Sequence, residues 1–264
     1  MNSAFFYSGA FFIYLLALIV ELFSLLSKKS FFHKIGMYTL FIGFLFQTPG
    51  LILRGIEMNF IPITNVYEAV TFVAWIGAVV VFYMYKTHKI PASVGFISTA
   101  VLVGFYAVSS SPLVSPEIAP PVPILRSYWL VLHISFAFLG EVFFIVSFAA
   151  ALAYLFSKTK EKRARMDDLT YKTILIGFPF FTLGALVFGA IWAKFAWGRF
   201  WSWDPKESWS LITWLFYAGY LHSRYVLKWK GKKSIILALV AFAAMIFTFF
   251  GVDFLGGLHS TEVR

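Results

Sequence analysis

Eight stretches of nearly uninterrupted apolar sequence, each about 20 residues long, constrain this chain more than any other feature. They run over 4–26, 35–53, 66–85, 91–109, 128–156, 174–195, 206–227 and 234–255. A helix rising about 1.5 Å per residue needs about 20 residues to cross a hydrocarbon layer of about 30 Å. Composition agrees: the 264 residues are 60% hydrophobic and only 13% charged, with a mean hydropathy of +0.81. A soluble domain of this length does not have that balance. The expected fold is all-α, a polytopic integral membrane protein of about eight transmembrane helices forming a single membrane domain over 1–264. The first segment is too long for a signal-peptide core and has no basic residue ahead of it, so it reads as a retained span. The absence of cysteine excludes disulfides, thiolate metal sites and a nucleophilic thiol.

The basic residues orient the spans. Of the 22 Lys and Arg, sixteen fall after spans one, three, five and seven, in the stretches around Lys28–Lys34, Lys86–Lys89, Lys158–Lys172 and Arg224–Lys233. The other six are Arg54, Arg126, Lys194, Arg199, Lys206 and Arg264. By the positive-inside rule both termini face the outer side, as does the loop ahead of span seven. The formal charge of +10 is therefore a topology signal and gives no support for a nucleic-acid partner.

That loop reads Trp197-Gly198-Arg199-Phe200-Trp201-Ser202-Trp203-Asp204-Pro205-Lys206-Glu207-Ser208-Trp209. Asp204, Pro205 and Glu207 occupy the Ncap, N1 and N3 positions of a new helix. The acid caps an orphan N–H, the proline needs no donor there, and the glutamate closes a capping box. A membrane belt scatters its tryptophans over many helix ends; this chain gathers four in thirteen residues. Trp197 and Trp201, four apart, would share a helix face and offer a platform as wide as a large planar ligand. A porphyrin meets that description, with Arg126, Lys194, Arg199 and Lys206 available for its carboxylates.

Depth sorts the histidines. His33 and His88 lie beside lysines in inner loops and read as solvated. His133 falls roughly 8–9 Å below the outer end of span five, and His259 follows span eight on the same side. Such a pair suits a bis-histidine site for iron or zinc; the plainer reading is one interfacial histidine and one in a frayed end. His222 lies roughly 26 Å down its helix, in the inner half of the bilayer, where an imidazole is costly and functional by default. The competing reading is a helix end that snorkels through Arg224. If His222 binds iron, a second ligand must come from elsewhere. Among the acids, Glu21 reads as snorkelling or pairing with Lys28. Glu141, roughly 21 Å below Ser127, is placed to orient or neutralise the His222 site.

The Trp-rich loop resembles the WWD signature of haem-handling membrane proteins. Its continuation through Ser223-Arg224 looks like the version in cytochrome c synthase subunits of the CcsA/ResC type. Ile63–Glu68, Ser127-Tyr128-Trp129 and Gly256-Gly257-Leu258-His259 look like further landmarks, so the resemblance spans essentially the whole chain. It implies that haem b is the non-covalent, transported substrate. His222 would meet it within the membrane, with a second ligand from a CcsB/ResB-type partner subunit. His133 and His259 would then ligate the iron at the outer surface, on a segment built from Trp197, Gly198, Trp201, Trp203, Asp204, Pro205, Glu207 and Trp209. There the vinyl groups would form thioethers with the CxxCH thiols of apocytochrome c, a synthase activity shared with the partner. The implied location is a bacterial cytoplasmic membrane, or a thylakoid membrane for a plastid chain.

Three other functions compete with this one. A WWD protein delivering haem in the other maturation system would have six spans and lack Pro-Lys-Glu after Trp-Asp. A proton-coupled transporter would use His222 and Glu141 as a relay, but paired interrupted spans are missing. A haem b electron carrier would pair His222 with a second intramembrane histidine, and the chain has none.

Overall fold

The structure is a computed structural model that describes residues 2–111 and 114–258. Among the described residues there are helices and no strands, and every one of the eight apolar segments falls on a helix. They are α1 (Ser3–Ser27), α2 (Ser30–Met58), α3 (Val66–His88), α4 (Ala92–Val108), α5 (Tyr128–Phe156), α6 (Lys160–Phe181), α7 (Gly189–Trp197), α8 (Pro205–Tyr225) and α9 (Lys232–Ile246). A π-helical turn, Thr182–Phe188, joins α6 to α7 without a break, and a second, Phe247–Gly251, extends α9. Among the described residues six helices are long and apolar enough to cross a membrane, the α6–α7 rod of 38 residues among them. Ala92–Val108 is apolar but only 17 residues long. The chain is thus an all-helical, polytopic membrane protein.

The helices gather into two compact units, Met1–Arg126 and Ser127–Arg264. Lipid chains are as apolar as leucine, so helices in a membrane associate through close packing and polar contacts rather than through hydrophobic burial. Unit 1, α1 to α4, shows both. Gly43 receives the Tyr14 ring of α1, and the Tyr14 hydroxyl donates to Gln47 Oε1 at 2.8 Å. Gln47 Nε2 in turn donates to the Thr71 carbonyl at 2.9 Å, tying α1, α2 and α3 together.

Two ion pairs close unit 1. At one end Arg54 donates to Glu68 at 3.0 Å and to the carbonyls of Pro116 and Glu117 at 3.1 Å. Glu68 also accepts from Thr64 N and Oγ1, and its own N–H is capped by Asn65 Oδ1 at 2.9 Å. The Ile63–Glu68 landmark is therefore a lock that fixes the start of α3 and the backbone at Pro116-Glu117. At the other end His33 corrects the sequence reading, because it is buried rather than solvated. Helix α2 begins at Ser30, ahead of the expected segment, and carries His33 inward. Its Nδ1 lies 2.8 Å from the Glu21 carboxylate, and its Nε2 donates to the Ile90 carbonyl at 2.9 Å. Glu21 pairs with this ring and not with Lys28. A Cβ at Gly36 or Gly95 would collide with the pair, so glycine is needed at both. Removing one partner of such a buried pair costs about 3–5 kcal/mol.

In unit 2, α5 and α6 approach backbone to backbone. A Cβ at Gly140 would stand 2.6 Å from Phe181 N, and one at Gly177 would stand 2.8 Å from Gly140 O. Helix α8 packs against α6 and α9. Its two buried-side tryptophans meet the two π-turns: Trp214 Nε1 donates to Thr182 Oγ1 at 2.9 Å, and the Trp209 ring lies 4.2 Å from Phe247.

Candidate functional site

His133 sits one and a half turns into α5, half-buried, with its Nδ1 2.9 Å from the Gly184 carbonyl in the first π-turn. A carbonyl only accepts, so Nδ1 carries the proton and Nε2 is the acceptor nitrogen of the neutral ring, the tautomer that binds a metal through Nε2. The ring lies parallel to the Trp192 indole, 7° apart in plane and 6.0 Å between centroids. Trp192 in turn meets Trp197 edge-on at 4.9 Å. Gly184 and Gly189 allow this approach: a Cβ at Gly184 would overlap the Ala137 backbone nitrogen, and one at Gly189 would stand 3.0 Å from His133 Nδ1. Trp192, Gly184 and Gly189 were not singled out from the sequence. The glycines five residues apart just ahead of Trp192 were the available signal, but apolar periodicity does not announce a π-turn.

The Trp-rich loop departs from expectation in one respect. Helix α7 ends at Trp197, with Gly198 in the left-handed region at φ +76°. Trp197 and Trp201 therefore do not share a helix face. Trp197 joins the His133–Trp192 stack, while Trp201 meets Trp203 edge-on at 5.8 Å. Trp203 is left-handed at φ +60°, a strained state for a bulky residue, and its ring is 72% exposed. Two acids hold the loop in this form. Glu207 accepts from Ser202 N at 2.7 Å, Ser202 Oγ at 3.0 Å and Asp204 N at 3.3 Å.

Asp204 caps α8 through Lys206 N at 3.0 Å, with Pro205 at N1 and the capping box complete, as the sequence indicated. Its second oxygen accepts from Leu258 N at 2.6 Å. The chain leading to His259 is thus tied to the start of α8; His259 itself lies outside the described residues. Asp204→Ala is expected to cost about 1 kcal/mol in cap energy and to release Gly257-Leu258 from α8. Thermal unfolding in detergent and mass mapping of proteolysis after Leu255 would register both changes; unaltered cleavage would show that Asp204 does not hold this segment.

Of the four cations available for carboxylates, Lys194 donates to the Gly198 carbonyl at 2.8 Å, and Arg199 is exposed beside it. Trp209 is anchored by the second π-turn, its carbonyl accepting from Thr248 Oγ1 at 3.1 Å.

His222 lies at the far end of α8 and is exposed on the surface of the chain. The reason is on the same helix. Arg224, about 200° around the helix, is not a snorkelling end; it pairs with buried Asp167 at 2.8 Å and reaches the Trp229 carbonyl at 3.0 Å. Asp167 also accepts from Gly231 N and Ser234 Oγ. These bonds fix the rotation of α8 and leave His222, with Leu215, facing away from the unit. Glu141 is buried inside unit 2, so it does not form a common site with the outward-facing His222. Among the described residues no three His, Cys, Asp or Glu side chains converge, so these residues build no four-ligand zinc site.

Residues 63–259 match the cytochrome c assembly protein family, and the chain belongs to it. Within that family it is of the CcsA type. It is 35% identical over 290 aligned positions to the cytochrome c biogenesis protein CcsA of Prochlorococcus marinus (strain MIT 9301), covering 95% of this chain and 91% of that one. It is 35% identical to the CcsA of Guillardia theta, covering 78% of each. The fold resembles the solved structure of cytochrome c haem lyase CcmF with a TM-score of 0.72 at 18% identity. All of this chain is covered there and 52% of CcmF, so it spans about half of that protein. The chain thus has a role in cytochrome c maturation.

Proposed function

We propose that this chain carries haem b across the membrane and presents it for attachment to apocytochrome c, as the haem-handling subunit of a synthase. The arrangement comprises eight crossings with both termini and the Trp-rich loop on the outer side, in a bacterial cytoplasmic or thylakoid membrane. Haem is held first at His222 and then at the outer loop, where His133 and His259 ligate the iron. Trp197, Gly198, Trp201, Trp203 and Trp209 form the surface against the porphyrin, shaped by Asp204, Pro205 and Glu207. The CxxCH thiols of apocytochrome c then add across the haem vinyl groups. Each addition makes one C–S bond, and the thiol proton ends on the vinyl carbon, so no net oxidant is consumed.

The observation that carries this reading is His133: its tautomer is set by Gly184, and its ring is continuous with the indoles of Trp192 and Trp197. His222 supports the first stage, because its outward imidazole is available to a CcsB/ResB-type partner that supplies the second ligand. The test is haem content. Purified with that partner, the wild-type chain should show the split α/β bands of low-spin bis-histidine ferrous haem. His222→Ala should lose co-purifying haem; unchanged haem content would remove His222 from the pathway.

A further inference from the structure

The core of unit 2 holds polar oxygens that none of these roles employs. Glu141, in the middle of α5, is 6% exposed, and its Oε2 has no hydrogen-bond partner among the described residues. The Tyr217 hydroxyl on the buried face of α8, with Ser147 near it, makes no hydrogen bond of good geometry, and the Tyr220 hydroxyl, one turn further, is a third. Both tyrosines are fully buried. The Tyr217 ring stacks on Phe144 at 3.6 Å, one turn along α5 from Glu141.

Tyr217, Tyr220 and Arg224 follow one another along α8 at three- and four-residue spacing, on one face of the helix, and Arg224 pairs with Asp167 at 2.8 Å. Buried oxygens left unmet on successive turns are costly, and water, with about three hydrogen bonds to give, is their usual filler. A carboxyl whose second oxygen meets no donor needs a proton in place of a cation.

We propose that Glu141, Tyr217 and Tyr220 enclose a water-bridged proton-binding site in the core of unit 2, reached from the Asp167–Arg224 end of α8. The ligand is an exchangeable proton, held on the Glu141 carboxyl and relayed through the two hydroxyls. The site is separate from His222, which faces the other way, and its test does not depend on haem.

Infrared spectra of the purified chain in H2O and D2O decide the matter. A deuterium-sensitive carboxylic acid C=O stretch should be present in the wild type, absent in Glu141→Gln and shifted in Tyr217→Phe. A band unchanged in Glu141→Gln, or no band in the wild type, would overturn the assignment. A second measurement needs no variant. Dicyclohexylcarbodiimide reacts with a carboxylic acid that donates its proton in an apolar setting, and peptide mass mapping of the wild type should find the adduct on Glu141. An unmodified Glu141 counts against the site.

Discussion

Replacing His133 by alanine is expected to reduce holocytochrome c formation to background, and added imidazole should restore part of it. The ring lies between the Gly184 carbonyl and the Trp192 indole, so its removal leaves a slot the size and shape of imidazole. Free imidazole entering that slot regains the carbonyl acceptor on one nitrogen and presents the other to iron. Stability should change little, because the ring is only half-buried. His259→Ala should behave in the same way, since the proposed site places the two nitrogens on one iron. Holocytochrome c yield, measured by haem-stained gels with and without imidazole, checks both variants. Normal yield from either would remove that residue from the iron.

A second large effect is expected at Gly184. A Cβ there would overlap the Ala137 backbone nitrogen and stand 2.6 Å from Phe136 C, atoms that cannot rotate aside. Gly184→Val should therefore destabilise unit 2 by about 3 kcal/mol as α5 and the π-turn separate. The same separation carries the Gly184 carbonyl away from Nδ1, so the residual folded protein should lose activity beyond its loss of stability. Gly219→Ala is the matched control. An added Cβ there meets nothing within 4 Å, and stability should stay within about 0.5 kcal/mol. Thermal unfolding in detergent separates the two; equal midpoints would mean that the close approach at Gly184 is not needed.

What the sequence revealed and what it hid divide along physical lines. Local rules did well. The eight apolar segments became helices, because span length and hydropathy are properties of single segments. The capping box at Asp204 and Glu207 formed because its atoms lie within four residues. Pairings across the chain were not legible. Glu21 and His33 come from different helices and meet only because Gly36 and Gly95 leave room, so a lysine closer in sequence looked the better partner. Arg224 resembled a snorkelling end because Asp167 is far away in the chain. The i, i+4 spacing of Trp197 and Trp201 misled because Gly198 ends the helix between them. His133 was legible as a candidate by depth alone. Its tautomer was not, since that rests on a carbonyl 51 residues away in a π-turn.

The proposed outer site consists of His133 and His259 bound to one iron at the Trp-rich loop. The chain contains no cysteine, so His133→Cys and His259→Cys each introduce its sole thiol. The most direct measurement is the electron paramagnetic resonance spectrum of oxidised haem bound to each variant in complex with the partner subunit. Each variant should show the signal of a thiolate–imidazole pair that the wild type lacks, beside any bis-imidazole signal from the His222 site, and the new signal should be the same in both. A variant that shows no thiolate–imidazole signal would contradict this assignment.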